Sequence, residues 1–173
     1  MATMFPASEA PEASARDHRA GIQLDAVAYW VVVAPIYIIF GFLWYYSAKE
    51  KLIDDSGTMP AGLAKAYAGT FISSFPGLNV TWVLLGCLEA ISFIAFIASL
   101  VMLEFLPTRQ KSILIMALGC SMLTFAALAF GQLLIANNSG VASIFAYFGV
   151  TVVVLLLVEM LPPRRWFGSD PSV

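Results

Sequence analysis

Four long apolar segments constrain the fold of this chain more than any other feature of its sequence. A helix needs about 20 mainly apolar residues to cross a hydrocarbon core that is about 30 Å thick. Segments of that length occur four times, over residues 26–47, 80–103, 112–135 and 141–161. The composition agrees with this reading, since 60% of the residues are hydrophobic and only 12% are charged. The four segments take up most of the 173 residues and leave no room for a soluble domain larger than a loop. The sequence therefore predicts an all-α fold, a polytopic bundle of four transmembrane helices in a lipid bilayer.

The segments outside the spans define the expected domain organisation. Residues 1–25 lack a hydrophobic face and are predicted to form a disordered tail, residues 26–162 the membrane domain, and residues 163–173 a second short tail. Six Lys or Arg residues lie on the side of both tails and three on the other side. The positive-inside rule then predicts a plasma or inner cell membrane protein whose N- and C-termini are both cytoplasmic.

Charge and metal-binding residue types exclude several classes of function. A net charge of -2 with no basic stripe argues against nucleic acid as a partner. The single histidine, His18, belongs to the tail and has no companion ligand, so we expect no metal site. Cys87 and Cys120 lie in different spans outside any CxxC motif, and we expect both to be buried small apolar residues.

The connection between the first two spans is long enough to contain structure of its own. Leu63, Tyr67, Phe71 and Phe75 recur every four residues, which predicts an amphipathic interfacial helix that ends before Pro76 and Gly77. It could simply cover the mouth of the bundle, or it could act as a lid over a lipid-soluble ligand.

Glu89 is the deepest charged residue of the sequence. It lies nine residues into the second predicted span, about 14 Å deep at helical rise, where an ionised side chain costs about 3 kcal/mol or more. It should therefore face the bundle and be either paired or protonated. Lys51 and Lys49, at the end of the first span, are the candidate ion-pair partners. The candidate hydrogen-bond donors are Ser92, Ser121 and Thr124.

The sequence is compatible with two roles for Glu89. It could fix helix packing through hydrogen bonds, or it could contact a proton or a ligand. Glu104, at the end of the same span, is expected to be interfacial and reached by water. The aromatic residues Trp44, Tyr45, Tyr46 and Trp82 are expected to be headgroup anchors. For Trp44, Tyr45 and Tyr46 the alternative is a stacking wall for a ring-shaped ligand.

Two short motifs resemble a known family. GFLWYYSAKEK, over residues 41–51, ends the first span with lysines, and GCLE, over residues 86–89, opens the second after a long loop. This arrangement resembles the DoxX-like family of four-helix membrane proteins. The resemblance implies a membrane subunit linked to oxidoreductase systems, with Glu89 and Lys51 as the polar pair of the bundle.

The resemblance and the residues together leave three functional hypotheses. The first is a small accessory subunit of a larger redox membrane complex, quinone- or thiol-linked, that is not catalytic alone. The second is a quinone- or lipid-binding oxidoreductase subunit in which Glu89 relays a proton and Tyr67 belongs to a lid. The third is a small proton-coupled transporter. No covalently bound cofactor is expected, since no haem-ligating histidine, cysteine pair or dinucleotide motif lies in a span, and a quinone is the candidate ligand.

Overall fold

The computed structural model describes residues 10–107 and 109–160. The predicted tail at residues 163–173 lies outside this range. Five α-helices and two short helical turns make up the regular structure of the described residues. They are α1 (Ala10–Lys49), a π-helical turn (Glu50–Asp54), α2 (Ala61–Tyr67), a 3-10 turn (Phe71–Ser73), α3 (Leu78–Val101), α4 (Ser112–Leu134) and α5 (Asn138–Met160).

Four of these helical segments are long and apolar enough to cross a membrane, which confirms the predicted all-α, four-span architecture. They are Tyr29–Asp54, Leu78–Val101, Ser112–Leu134 and Asn138–Met160. The last three begin and end within three residues of the predicted spans. The first continues seven residues further than predicted, because the π-helical turn extends it through the lysine-containing segment.

The helical backbone also extends further toward the N-terminus than predicted. α1 begins at Ala10, inside the range 1–25 that was expected to be a disordered tail. The added turns are rich in alanine, the residue with the highest helix propensity. A helix that is already nucleated adds such residues at little cost, so the lack of a hydrophobic face did not decide the backbone conformation here.

The chain divides into two compact units, one ending at Pro35 and the other beginning at Ile36. In the first unit the rings of Tyr29 and Trp30 meet edge to face, with centroids 5.8 Å apart. All features of the candidate site lie in the second unit. There α4 packs against both α3 and α5.

The second half of α1 packs into this bundle through aromatic rings. Phe40 stacks on Phe96 of α3, with ring centroids 5.5 Å apart. Trp44 lies 4.8 Å from Phe125 of α4, and its Nε1 donates a hydrogen bond to the Ser121 hydroxyl at 2.8 Å. The prediction that Trp44 anchors the headgroups was therefore wrong, because Trp44 is only 1% exposed. Tyr45 and Tyr46, by contrast, are exposed.

The connection between α1 and α3 contains helical segments, as predicted. However, the four residues predicted to form its apolar face do not lie on one face of a single helix. α2 ends at Tyr67, which is buried, whereas Phe71 and Phe75 are 61% and 79% exposed. The Thr70 hydroxyl donates to the Tyr67 carbonyl at 2.8 Å, and the Ser73 hydroxyl donates to the Thr70 carbonyl at 2.7 Å. Such side-chain bonds to the backbone compete with helix continuation, so the regular period ends at this point.

Candidate functional site

The π-helical turn at the end of the first span positions Lys51. In this turn the Asp55 N–H donates to the Glu50 carbonyl at 2.8 Å, five residues back. The Gly57 N–H then donates to the Lys51 carbonyl at 3.0 Å. Single π-helical turns occur frequently at functional sites. Here the turn accompanies a lysine that is only 5% exposed, at the edge of a membrane span.

Gly86 of α3 allows this turn to approach the second span closely. A Cβ atom at Gly86 would lie 2.9 Å from Leu52 Cδ2 and 3.1 Å from Lys51 Cβ, both closer than side chains normally pack. Glu89 follows Gly86 by three residues and therefore lies on the same helix face, about one turn further along. The absence of a side chain at Gly86 is what brings Lys51 within reach of Glu89.

Lys51 and Glu89 form an ion pair inside the bundle. The Lys51 Nζ lies 3.1 Å from Glu89 Oε1, and the two side chains are 7% and 0% exposed. The ammonium also donates to the Ser47 hydroxyl at 3.1 Å and lies 3.5 Å from the Ser47 carbonyl, one turn back along the helix. The structure therefore brings together Glu89 and one of its two predicted lysine partners, and it adds Ser47 as a neighbour that was not predicted.

The Glu89 carboxylate is poorly satisfied by hydrogen bonds. Its polar neighbours are Lys51 and Ser47, and neither directs a well-aligned hydrogen bond onto it within the described part of the chain. Glu89 lies eleven residues after Leu78, about 16 Å along α3 and near its middle. A buried carboxylate normally accepts several hydrogen bonds, so one without them at mid-membrane depth is costly and typical of a functional group.

Trp82 connects the ion pair to the rest of the site. The Lys51 Nζ lies 4.8 Å from the centroid of the Trp82 ring, within the range of a cation–π interaction. Trp82 is 9% exposed, and its Nε1–H has no acceptor among the residues that the structure describes. Its predicted role as a headgroup anchor was wrong. The spacing of Trp82, Gly86 and Glu89, at intervals of four and three, would have placed them on one helix face.

A cavity of about 320 Å³, which Trp82 also lines, lies between α3, α4 and the α2 segment. Its lining is mainly apolar. The connection contributes Met59, Leu63, Tyr67, Phe71, Ile72 and Pro76, α3 contributes Thr81, Trp82, Leu84, Leu85 and Leu88, and α4 contributes Ala127, Leu128, Phe130, Gly131 and Gln132. Pockets of 300–1,000 Å³ with apolar walls and few polar groups are the usual form of small-molecule sites.

Tyr67 is the candidate residue of the connection that the structure places at the cavity. Its hydroxyl lies against Gly131 of α4, where a Cβ atom would be 2.8 Å away. Burial raises the pKa of the Tyr67 phenol above its usual value, so the hydroxyl stays protonated and can donate a hydrogen bond. Met59, Ile72 and Trp82 are buried in the same cluster as Tyr67, and together they close one wall of the cavity.

The other candidate partners of Glu89 lie elsewhere. Lys49 pairs with Asp54 at 2.6 Å on an exposed surface and takes no part in the site. The hydroxyls of Ser92 and Thr124 bond to each other at 3.3 Å. Ser121 accepts from Trp44 instead. These hydroxyls therefore join helices within the bundle, and the prediction that they could bind Glu89 is not confirmed.

Glu104 forms a second buried site at the opposite end of α3. Its carboxylate accepts hydrogen bonds from the Ser99 hydroxyl at 2.9 Å and from the backbone N–H groups of Ile113 and Leu114 at 3.0 and 2.7 Å. The prediction that water reaches Glu104 was wrong, since it is 6% exposed. Unpaired N–H groups at the start of α4 attract an anion, and the chain folds back to supply one.

Two further residues complete the Glu104 site. The hydroxyls of Tyr37 and Ser99 bond at 2.7 Å, which links α1 to this end of α3. Lys111, the residue before α4, is also buried. Burial lowers the pKa of the Lys111 ammonium, and the nearby Glu104 carboxylate opposes that shift.

The remaining observations concern metal-binding side chains, the two cysteines and comparison with known proteins. In the described ranges no group of three or more His, Cys, Asp or Glu side chains could hold a metal ion. Cys120 is half-buried, whereas Cys87 is exposed on α3, so its predicted burial was wrong. Comparison with protein-family models, with curated proteins and with solved structures finds no match for this chain.

Proposed function

We propose that this integral membrane protein is a quinone-binding subunit of a redox membrane complex. The ligand ring would occupy the cavity between α3, α4 and the α2 segment. The observation that carries this proposal is the position of Trp82, which lines the apolar cavity and also contacts the buried Lys51–Glu89 pair through its ring. A single side chain thus contacts both a site for a lipid-soluble ring and the buried ion pair of the bundle.

The cavity supports a ligand that reaches the protein from the bilayer. Its lining is apolar, apart from a few polar side chains, and two of the elements that line it, α3 and α4, are membrane spans. Phe71, at its rim, is largely exposed. An apolar molecule with a flat ring matches these walls better than a charged solute does, because a charge would lose its hydration without gaining a partner.

The buried ion pair supports a role beyond packing. Replacement of such a pair by well-packed apolar residues is often neutral or stabilising, so folding alone gives little reason to bury Lys51 and Glu89 in a membrane. Reduction of a quinone to a hydroquinone takes up two electrons and two protons. We assign proton exchange beside the cavity to Glu89, with Lys51 holding its charge.

We assign the electrons to a partner protein of the complex. This chain has one histidine, outside the spans, and its two cysteines lie in different spans. The resemblance to the DoxX-like family, whose members include small subunits of oxidoreductase systems, supports the same division of labour. The chain binds the quinone and supplies protons, while the partner supplies the electron donor.

A cavity-filling variant tests the binding step. Ala127→Phe on α4 places a ring in the cavity, whereas Ala126→Phe adds the same ring on the adjacent, exposed face of the helix. Protein in lipid nanodiscs is equilibrated with 2-decyl-1,4-benzoquinone, and bound quinone is measured against empty nanodiscs. We expect saturable binding to the unmodified protein and to the Ala126→Phe variant, and loss of it in Ala127→Phe. Equal binding by all three would overturn the proposal.

The Glu89→Gln variant tests the proton step. Gln is nearly isosteric, so the variant should insert and bind quinone as the unmodified protein does. In the intact complex, quinone reduction should fall by about a hundredfold or more, the usual contribution of a positioned acid or base. Undiminished turnover with Gln would remove Glu89 from the reaction.

A further inference from the structure

The exposed residues of the lining show where the cavity opens. Leu84 of α3 and Phe130 of α4 both line the cavity, yet each is more than half exposed. The other lining residues of these two helices are buried or half-buried. On the side of the two membrane spans, the opening therefore lies between Leu84 and Phe130.

This opening lies at the depth of the hydrocarbon core. Leu84 follows the start of α3 at Leu78 by six residues, about 9 Å at helical rise. Phe130 precedes the end of α4 at Leu134 by four residues, about 6 Å. Both helices are long and apolar enough to cross a membrane, so the two positions lie inside the spans. A molecule that passes between them comes from the acyl chains of the lipid and not from water.

The connection between α1 and α3 closes the cavity on the side of the headgroups. The rings of Phe71 and Phe130 meet with their centroids 6.3 Å apart. The Tyr67 hydroxyl lies against Gly131, the next residue of α4. Ile72 is buried in the same cluster as Tyr67. A long chain attached to a ring in the cavity therefore has its free path toward the lipid.

The volume of the cavity limits how much of such a molecule it can enclose. At about 320 Å³ it is at the lower end of the range for small-molecule sites. It has room for a substituted ring, but not for the long hydrocarbon chain of a lipid quinone as well. Such a chain must lie outside the cavity.

We propose, on the basis of the proposed function, that the ligand is a quinone with a long alkyl or isoprenoid tail. Its ring occupies the cavity, and its tail leaves between Leu84 and Phe130 along the lipid-facing surface of α3 and α4. Ile91 and Leu123 continue this path, since each lies seven residues from one of the rim residues and so on the same helix face, deeper in the membrane. Both are exposed.

A photoreactive tail tests this path. A benzoquinone with a diazirine in its alkyl tail is bound to protein in nanodiscs, and adducts are mapped by mass spectrometry with and without excess 2-decyl-1,4-benzoquinone. We expect the competitor to suppress adducts at Leu84, Phe130, Ile91 or Leu123. Adducts at Leu156, which is exposed on α5, report free probe in the lipid and should not change. Suppressed adducts confined to the connection between α1 and α3 would overturn the inference.

A substitution at the rim tests the same path by steric exclusion. Leu84→Trp narrows the opening, whereas Ile94→Trp adds the same ring at an exposed position of α3 that does not line the cavity. In Leu84→Trp, 2-decyl-1,4-benzoquinone should bind about tenfold more weakly. 2-Methyl-1,4-benzoquinone, which lacks the tail, should bind as it does to the unmodified protein. Ile94→Trp should leave both affinities unchanged.

The two quinones distinguish failure of the tail path from failure of the quinone site. An unchanged affinity for the decyl quinone in Leu84→Trp, or an equal loss of both quinones, would overturn the inference while leaving the quinone site in place. If neither quinone binds saturably to the unmodified protein, the proposed function itself is wrong.

Discussion

Glu89 and Glu104 are both buried acids on or beside α3, yet their surroundings differ. Glu104 accepts three hydrogen bonds, from one hydroxyl and from two N–H groups at the start of α4. Glu89 faces one ammonium at 3.1 Å and receives no well-aligned hydrogen bond from the described residues. Glu104 closes a loop onto a helix end, whereas Glu89 has unused acceptor capacity next to a cavity.

This difference distinguishes an acid that stabilises the fold from one that is available for chemistry. Hydrogen bonds from fixed backbone groups hold a carboxylate in one state and one position. A carboxylate held mainly by a flexible lysine can change its hydrogen-bond partner, or gain and lose a proton, without disrupting the end of a helix. Substitution of Glu104 should therefore change the stability of the protein alone, whereas substitution of Glu89 should change both its stability and its function.

The largest effect is expected from removal of Lys51 alone. Lys51→Met leaves the Glu89 carboxylate buried without its counter-charge, which should lower the free energy of unfolding by about 3–5 kcal/mol. Unfolding in detergent, followed by circular dichroism, measures the change. The double variant Lys51→Met, Glu89→Leu should recover most of this stability but abolish quinone turnover. A double variant as unstable as the single one would contradict our view of the pair.

A smaller loss is expected at the other acid. Glu104→Ala removes the hydrogen bonds to the first N–H groups of α4 and should cost about 2 kcal/mol. Quinone affinity should not change, because Glu104 lies at the far end of α3 from the cavity. Glu159→Ala, an exposed acid near the end of α5, is the control and should leave both quantities unchanged. A quinone affinity lowered by Glu104→Ala would break the proposed division between the two sites.

Gly86 offers a weaker perturbation of the Glu89 site. Gly86→Ala places a Cβ atom 3.1 Å from Lys51 Cβ and 2.9 Å from Leu52, so the π-helical turn must move away from α3. We expect a loss of about 1–2 kcal/mol, as for other overpacked positions. Gly119→Ala, in the middle of α4 with open space around it, should instead stabilise the helix by about 0.5–1 kcal/mol. Equal effects of the two substitutions would show that the close contact at Gly86 is unimportant.

Lys49 provides the smallest expected effect. It lies two residues from Lys51 but pairs with Asp54 on the surface, where such pairs add little to stability. Lys49→Met should therefore leave the unfolding transition and quinone binding unchanged within error. If Lys49→Met lowered the free energy of unfolding as strongly as Lys51→Met, Lys49 and not Lys51 would be the partner of Glu89.

The candidate site could be predicted from the sequence only in part. Glu89 stands out because it is an acid inside an apolar run, and Lys51 because it is one of two lysines near the end of the first span. The choice between Lys51 and Lys49 depends on the π-helical turn and on the close approach at Gly86. Trp82 could not be recognised by residue type, because tryptophan is enriched at both membrane–water interfaces and a Trp near the start of a span is therefore expected to be a headgroup anchor.

The sequence by itself determined the four spans, their helical state and the identity of the deep acid. The physical reason is that backbone groups in lipid must be satisfied within each helix, so length and hydrophobicity suffice to define a span. The tertiary structure decided which faces meet, and with them the Lys51–Glu89 pair, the capping role of Glu104 and the cavity beside Trp82. In lipid, apolar faces gain little by burial against one another, so close contacts at small residues and hydrogen bonds between helices select the arrangement.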